Sequence, residues 1–88
     1  MHLRHILLSQ KFQAEDVQRL LKQGEDFVKL AQRWSQCSSA SQGGVLGDVD
    51  GKKNLDDDFL EAAKILKVHE ISGIVRSRFG YHLIRRDS

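Results

Sequence analysis

The chain opens with a period-two pattern. An extended His2–Leu8 puts Leu3, His5 and Leu7 on one face and His2, Arg4, Ile6 and Leu8 on the other. Ser9-Gln10 closes this predicted strand. From Ala14 the period lengthens: Ala14, Val17, Leu20 and Leu21 share one helical stripe, and Gly24 supplies a stop. Phe27, Leu30, Ala31 and Trp34 repeat the stripe, with Glu25 and Asp26 suited to the positive end of a second helix. Ser35 to Gly44 is small and polar, a loop with room for one helical turn. Val45 to Val49 reads as a short strand, Asp50-Gly51 as a turn, and Lys52 to Asp57 as a polar loop. Asp58 and Glu61 have capping-box spacing ahead of the stripe Phe59, Ala62, Ala63 and Leu66. Ile71–Val75 and Tyr81–Arg86 then read as strands joined by a turn over Arg76–Gly80. Helices interspersed among strands, with a terminal hairpin, predict an α+β fold with a mostly antiparallel sheet.

Composition narrows this picture. The 88 residues allow one hydrophobic core, so residues 1–88 are expected to form a single domain. Fourteen Lys and Arg against twelve Asp and Glu give a net charge of +2, too balanced for a dedicated nucleic-acid binder. Lys52, Lys53, Arg76, Arg78, Arg85 and Arg86 form a possible basic surface, read here as solvated positions. Ile6-Leu7-Leu8, the longest apolar run near the start, is far too short for a membrane span. One cysteine, Cys37, rules out an internal disulfide and fits a reducing, cytoplasmic setting, with an exported fragment as the alternative. A monomer is expected. Proline is absent, although average usage would give about four in such a chain.

The candidate chemistry lies in the histidines and the thiol. His5 shares its strand face with Leu3 and Leu7, and His82 shares its face with Ile84. If those strands pair, the two imidazoles can exchange a hydrogen bond in a dry setting. Taken singly, each reads first as a satisfied core histidine, and Cys37 as a small buried hydrophobe. No zinc site or other cofactor is expected: His2 and His5 point to opposite faces, and neither a Cys-x-x-Cys pair nor a helical His pair exists. Nothing orients a Cys–His hydrolase.

An ordered set of motifs resembles the parvulin-type peptidyl-prolyl isomerases. It runs Arg4-His5-Ile6-Leu7, Gly24-Glu25-Asp26-Phe27, Leu30-Ala31, Trp34-Ser35-Gln36-Cys37-Ser38-Ser39-Ala40, Gly43-Gly44-Val45-Leu46-Gly47, Phe59-Leu60-Glu61-Ala62-Ala63, Glu70-Ile71-Ser72-Gly73 and Phe79-Gly80-Tyr81-His82-Leu83-Ile84. The resemblance implies a parvulin-like (FKBP-like) fold, a four-stranded sheet flanked by about four helices. It also implies cis/trans isomerisation of X-Pro bonds in peptides and unfolded protein clients, or, as the alternative, a substrate-binding chaperone module with little turnover. Residue by residue it places His5 and His82 as the paired histidines of the site floor and Cys37 beside them. Leu46, Leu55 and Phe59 would hold the proline ring, Ser77 would bond to the histidine pair, and Phe79 would stand alongside.

The short Ser9–Gln13 connection, with Lys11 its one cation, is unlike the arginine-bearing loop of phosphate-directed members, so no phospho-specificity is expected. Four departures stand out. Asp57 replaces a proline at the pocket segment, Asp48-Val49-Asp50 replaces an acidic-aromatic-glycine triplet, Val68-His69 replaces Pro-Gly, and Ile74 replaces a proline. The first two are expected at the pocket rim.

Overall fold

The computed structural model describes residues 1–50 and 55–88; the predicted turn at Gly51, most of the polar loop after it, and Lys52 and Lys53 lie outside the described residues. Along the chain come β1 (His2–Leu8), α1 (Lys11–Lys22), α2 (Phe27–Trp34), a 3-10 turn (Ser38–Gln42), β2 (Val45–Asp48), α3 (Asp57–Lys64), β3 (Val75–Ser77) and β4 (Gly80–Arg86). The sheet has the order β2-β1-β4-β3 and is antiparallel throughout, as the α+β reading requires. Three α-helices and the 3-10 turn, among the described residues, agree with the expected helical complement.

β1 and β4 lie at the centre, and apolar side chains are buried on both of their faces. On one face Ile6, Leu8 and Leu83 pack against Ala14 and Val17 of α1 and Phe27, Leu30 and Ala31 of α2. On the other, Leu3 and Ile84 pack against Val49, Leu66, and Phe59 and Ala63 of α3. The register pairs His5 with Ile84 and Leu7 with His82, so both histidines share the α3 face.

Several boundaries differ from the sequence reading. α1 starts at Lys11 rather than Ala14, because Gln13 Oε1 accepts the Gln10 N–H at 3.1 Å and organises a turn ahead of the apolar stripe. α3 is capped by Asp56, not Asp58. Asp56 is extended (φ −65°, ψ 138°), and its Oδ1 accepts the Asp58 N–H at 2.9 Å. Trp34 ends α2 half-exposed instead of completing the core stripe. The third strand is Val75–Ser77, and Ile71 keeps one isolated bridge to Arg85. The Ser72 hydroxyl takes the Ile84 N–H at 3.0 Å, and this side-chain bond interrupts the backbone ladder.

Gly44 fixes the approach to the site. Its carbonyl accepts the His5 N–H at 3.0 Å, its φ is +80°, and a Cβ there would lie 2.1 Å from the His5 carbonyl oxygen. Gly44→Ala should therefore cost on the order of 2 kcal/mol or more. Gly24→Ala, also at positive φ but with open space around it, should cost about 1 kcal/mol. Urea denaturation of both variants checks the order. His69 is the one described non-glycine residue at positive φ, 71°. His69→Gly should raise stability by about 1 kcal/mol, and an unchanged or lower urea midpoint would contradict this.

Candidate active site

Strand alternation and the β1–β4 register bring His5 and His82 together across 77 residues of sequence. Their Nδ1 atoms are 3.0 Å apart, with ring centroids at 5.2 Å and planes 18° from parallel. Two Nδ1 atoms at this distance share one proton, so one ring donates and the other accepts. His82 Nε2 is hydrogen-bonded to Ser77 Oγ at 2.5 Å, and that oxygen also accepts the Phe79 N–H at 3.1 Å. β3 thereby fixes the plane of the His82 ring. Phe59 stands edge-on to both imidazoles, at 5.6 Å from His5 and 5.0 Å from His82. Burial pushes the His5 pKa down to about 4, with the neighbouring His82 adding to the effect. Burial likewise pushes His82 down to about 4, against a small opposing pull from Asp56. The pair is therefore neutral at physiological pH, with one proton between the two Nδ1 atoms and one on Nε2 of the accepting ring.

Above this floor lies a cleft of about 220 Å³ lined by His5, Leu7, Cys37, Leu46, Leu55, Asp56, Phe59, Phe79 and His82. Of the site residues that the resemblance implies, only Ser77 does not line it; Ser77 stands behind His82. Leu7 and Asp56 were not anticipated. Leu7 follows directly from its sharing a strand face with His5. Asp56 follows from the position of the α3 cap, which the acidic triplet Asp56-Asp57-Asp58 leaves ambiguous. Asp57, expected at the rim, is an exposed first-turn residue of α3, and Val49 is buried in the core between the sheet and α3 rather than lining the cleft. Cys37 is half-buried at the N-terminal end of the 3-10 turn. Burial raises its pKa, but hydrogen bonding from Ser39 and Ser38 outweighs this and leaves the thiol below its usual range. These serines, not the histidine pair, are what lower it.

The arginines read as a possible basic surface are dispersed. Arg85 bonds Asp87 at 2.8 Å and lies over Phe27, Arg86 bonds the Leu66 carbonyl at 2.9 Å, and Arg76 and Arg78 lie over Tyr81 and Phe79. Among the described residues no helix is long and apolar enough to cross a membrane.

A central β1–β4 pair carrying facing imidazoles under an apolar cleft of about 220 Å³ characterises this small α+β domain. Residues 5–88 match the rotamase family described as the PPIC-type PPIase domain, and the chain belongs to that family, the parvulins. Foldase protein PrsA of Bacillus subtilis is 44% identical over 82 residues, covering 93% of this chain and 28% of that protein. The crystal structure of Bacillus subtilis PrsA superposes with a TM-score of 0.92 at 41% identity, over all of this chain and 34% of that one. NmPin, the parvulin of Nitrosopumilus maritimus, superposes with a TM-score of 0.84 at 39% identity and is 95% covered. The chain thus spans about a quarter of the PrsA foldases it matches and nearly the whole of a small parvulin.

The depressed histidine pKa values make stability pH-dependent. A base whose folded pKa lies below its unfolded value near 6.5 leaves stability intact above 6.5, and the unfolded chain takes up the extra proton as pH falls. Between pH 7 and 5, above the carboxylate range, urea midpoints should fall. The loss should be on the order of 1 kcal/mol per pH unit for each histidine protonated only on unfolding. A His5→Leu variant should show a shallower slope; an unchanged slope would contradict the assignment.

Proposed function

We propose that residues 1–88 act as one isomerase domain that turns X-Pro bonds of peptides and unfolded protein segments by noncovalent catalysis. The observation that carries this reading is the neutral, buried His5–His82 pair with Phe59 against both rings, flooring an apolar cleft of about 220 Å³. Rotation about X-Pro breaks amide resonance, a barrier of about 18–20 kcal/mol. At the twisted state the nitrogen is pyramidal and the carbonyl has lost its conjugation, so no covalent bond need form. A site that grips the ring and excludes water favours that state over either planar ground state.

Leu46, Leu55, Phe59, Phe79 and Leu7 supply the grip. The histidines, locked in plane by Ser77, give a floor that carries no charge at neutral pH. Cys37 contributes a polarisable thiol near the bound amide, held by Ser38 and Ser39, and needs no attack on the carbonyl to do so. The connection from β1 to α1 is only Ser9 and Gln10, which supports a preference for unphosphorylated segments. We also propose a monomer in a reducing, cytoplasmic setting, where the lone Cys37 thiol would stay reduced.

Exchange spectroscopy on an Ala-Pro peptide tests the reading. Catalytic amounts of the protein should accelerate cis/trans exchange, whereas binding without acceleration would identify a chaperone module. Leu55→Ala should lower kcat/KM roughly tenfold through lost apolar contact. Cys37→Asp should keep much of the activity; loss of activity in both Cys37→Asp and Cys37→Ser would overturn the noncovalent role.

A further inference from the structure

The proline cleft has a charged mouth. Among the described residues Asp56 is the one acidic or basic side chain besides the neutral histidines and the thiol that lines it. Its position is fixed twice: Oδ1 accepts the Asp58 N–H at 2.9 Å, and Oδ2 accepts the Arg78 N–H at 3.4 Å. The bond from Arg78, at the tip of the β3–β4 turn, is the leading reason its carboxyl stays below the usual range, so it is ionised. Through Leu55 and Asp56 the cleft continues into a shallow hollow lined also by Asp57, Asp58 and Arg78, three carboxylates against one guanidinium. None of the three aspartates forms a salt bridge with a described Lys or Arg.

The cleft thus offers an apolar grip and a fixed negative rim. An extended peptide with proline in the grip must run its neighbouring side chains past that rim.

We propose that Asp56 is a specificity-determining residue that favours segments carrying Lys or Arg next to the proline and disfavours those carrying a carboxylate or phosphate there. The inference rests on the isomerase reading and adds to it the charge of the preferred substrate. The side chains meet at an exposed rim, so the preference should be modest, roughly two- to fivefold, and screened by salt.

The test is exchange spectroscopy on matched peptides with Ala, Lys, Glu or phosphoserine before proline, and with Lys or Glu after it, at low salt and at about 1 M salt. At low salt Lys peptides should exceed the Ala-Pro peptide in kcat/KM by roughly two- to fivefold. Glu and phosphoserine peptides should fall below it, and the ratios should collapse toward one at high salt. Asp56→Asn, which keeps an oxygen for the Asp58 amide, should reduce the Lys-to-Glu ratio in the same way. Should that variant fail to fold, Asp57→Asn with Asp58→Asn leaves the cap in place and should lower the ratio in part. Equal values for Lys and Glu peptides at low salt, or a ratio unmoved by both salt and substitution, would overturn the inference while Ala-Pro turnover persisted. If no peptide is turned over, the isomerase reading fails instead, and titrating the same peptides for binding still decides the charge preference.

Discussion

The pairing of β1 with β4 is the interaction on which everything else in this domain rests. The five largest fully buried side chains, Leu3, Ile6, Leu8, Leu83 and Ile84, all lie on these two strands. Joining residues 77 apart costs about 4 kcal/mol of loop closure before any contact is made. Each of those side chains returns about 1.5–3 kcal/mol on burial, so the pairing is stable only when both sheet faces are covered. α1 and α2 cover one face and α3 the other. The helices are therefore required by the central strands, and the cleft arises where α3 leaves part of its face open beside the histidines.

The histidine pair shows how that burial becomes chemistry. Two imidazoles in water would titrate near 6.5, and at neutral pH a fraction would carry charge. Set on the inner strands under Phe59, they stay neutral, and their one shared proton ties the two rings into a flat polar floor. A charged floor would attract water and counterions into the cleft and stabilise the planar, dipolar amide. A neutral one leaves the cleft's apolar lining as its dominant surface. Ser77 completes the arrangement by fixing His82 from β3, so the outermost strand of the sheet, though only three residues long, has a defined place in the site.

Much of this was legible in the sequence, for physical reasons that can be named. Alternation placed His5 with Leu3 and Leu7, and His82 with Ile84, because strand geometry leaves no other choice. The apolar stripes located all three α-helices, since each buries one face. Whether β1 and β4 would be neighbours could not be read from period, because pairing partners are set by tertiary packing. The order β2-β1-β4-β3 is where the two separate histidine signals became one site. Boundaries failed where a single side chain competes with backbone: Gln13 lengthens α1, Asp56 moves the α3 cap, and the Ser72 hydroxyl shortens the third strand. Leu7 shares the His5 face by alternation and so reaches the cleft. Asp56 was hidden among three adjacent aspartates, any of which satisfies capping statistics.

The missing prolines gain a physical meaning from the start of α3. Proline suits the first helical position because its fixed φ and absent N–H match what that position needs. Asp57 occupies that position here, and the helix start is defined by electrostatics instead. Asp56 caps the free amide of Asp58, while Asp57 and Asp58 sit in the first turn, where the helix dipole favours negative charge. The two solutions differ in what they leave on the surface. A proline at position 57 would leave an apolar ring in the exposed first turn, whereas Asp57 adds a carboxylate to the hollow beside the cleft, next to Asp56 and Asp58. The cleft's own charge stays with Asp56. Fold and specificity meet at Asp56, which holds α3 to the β3–β4 turn through the Asp58 and Arg78 amides and gives the proline cleft its only fixed charge among the described residues.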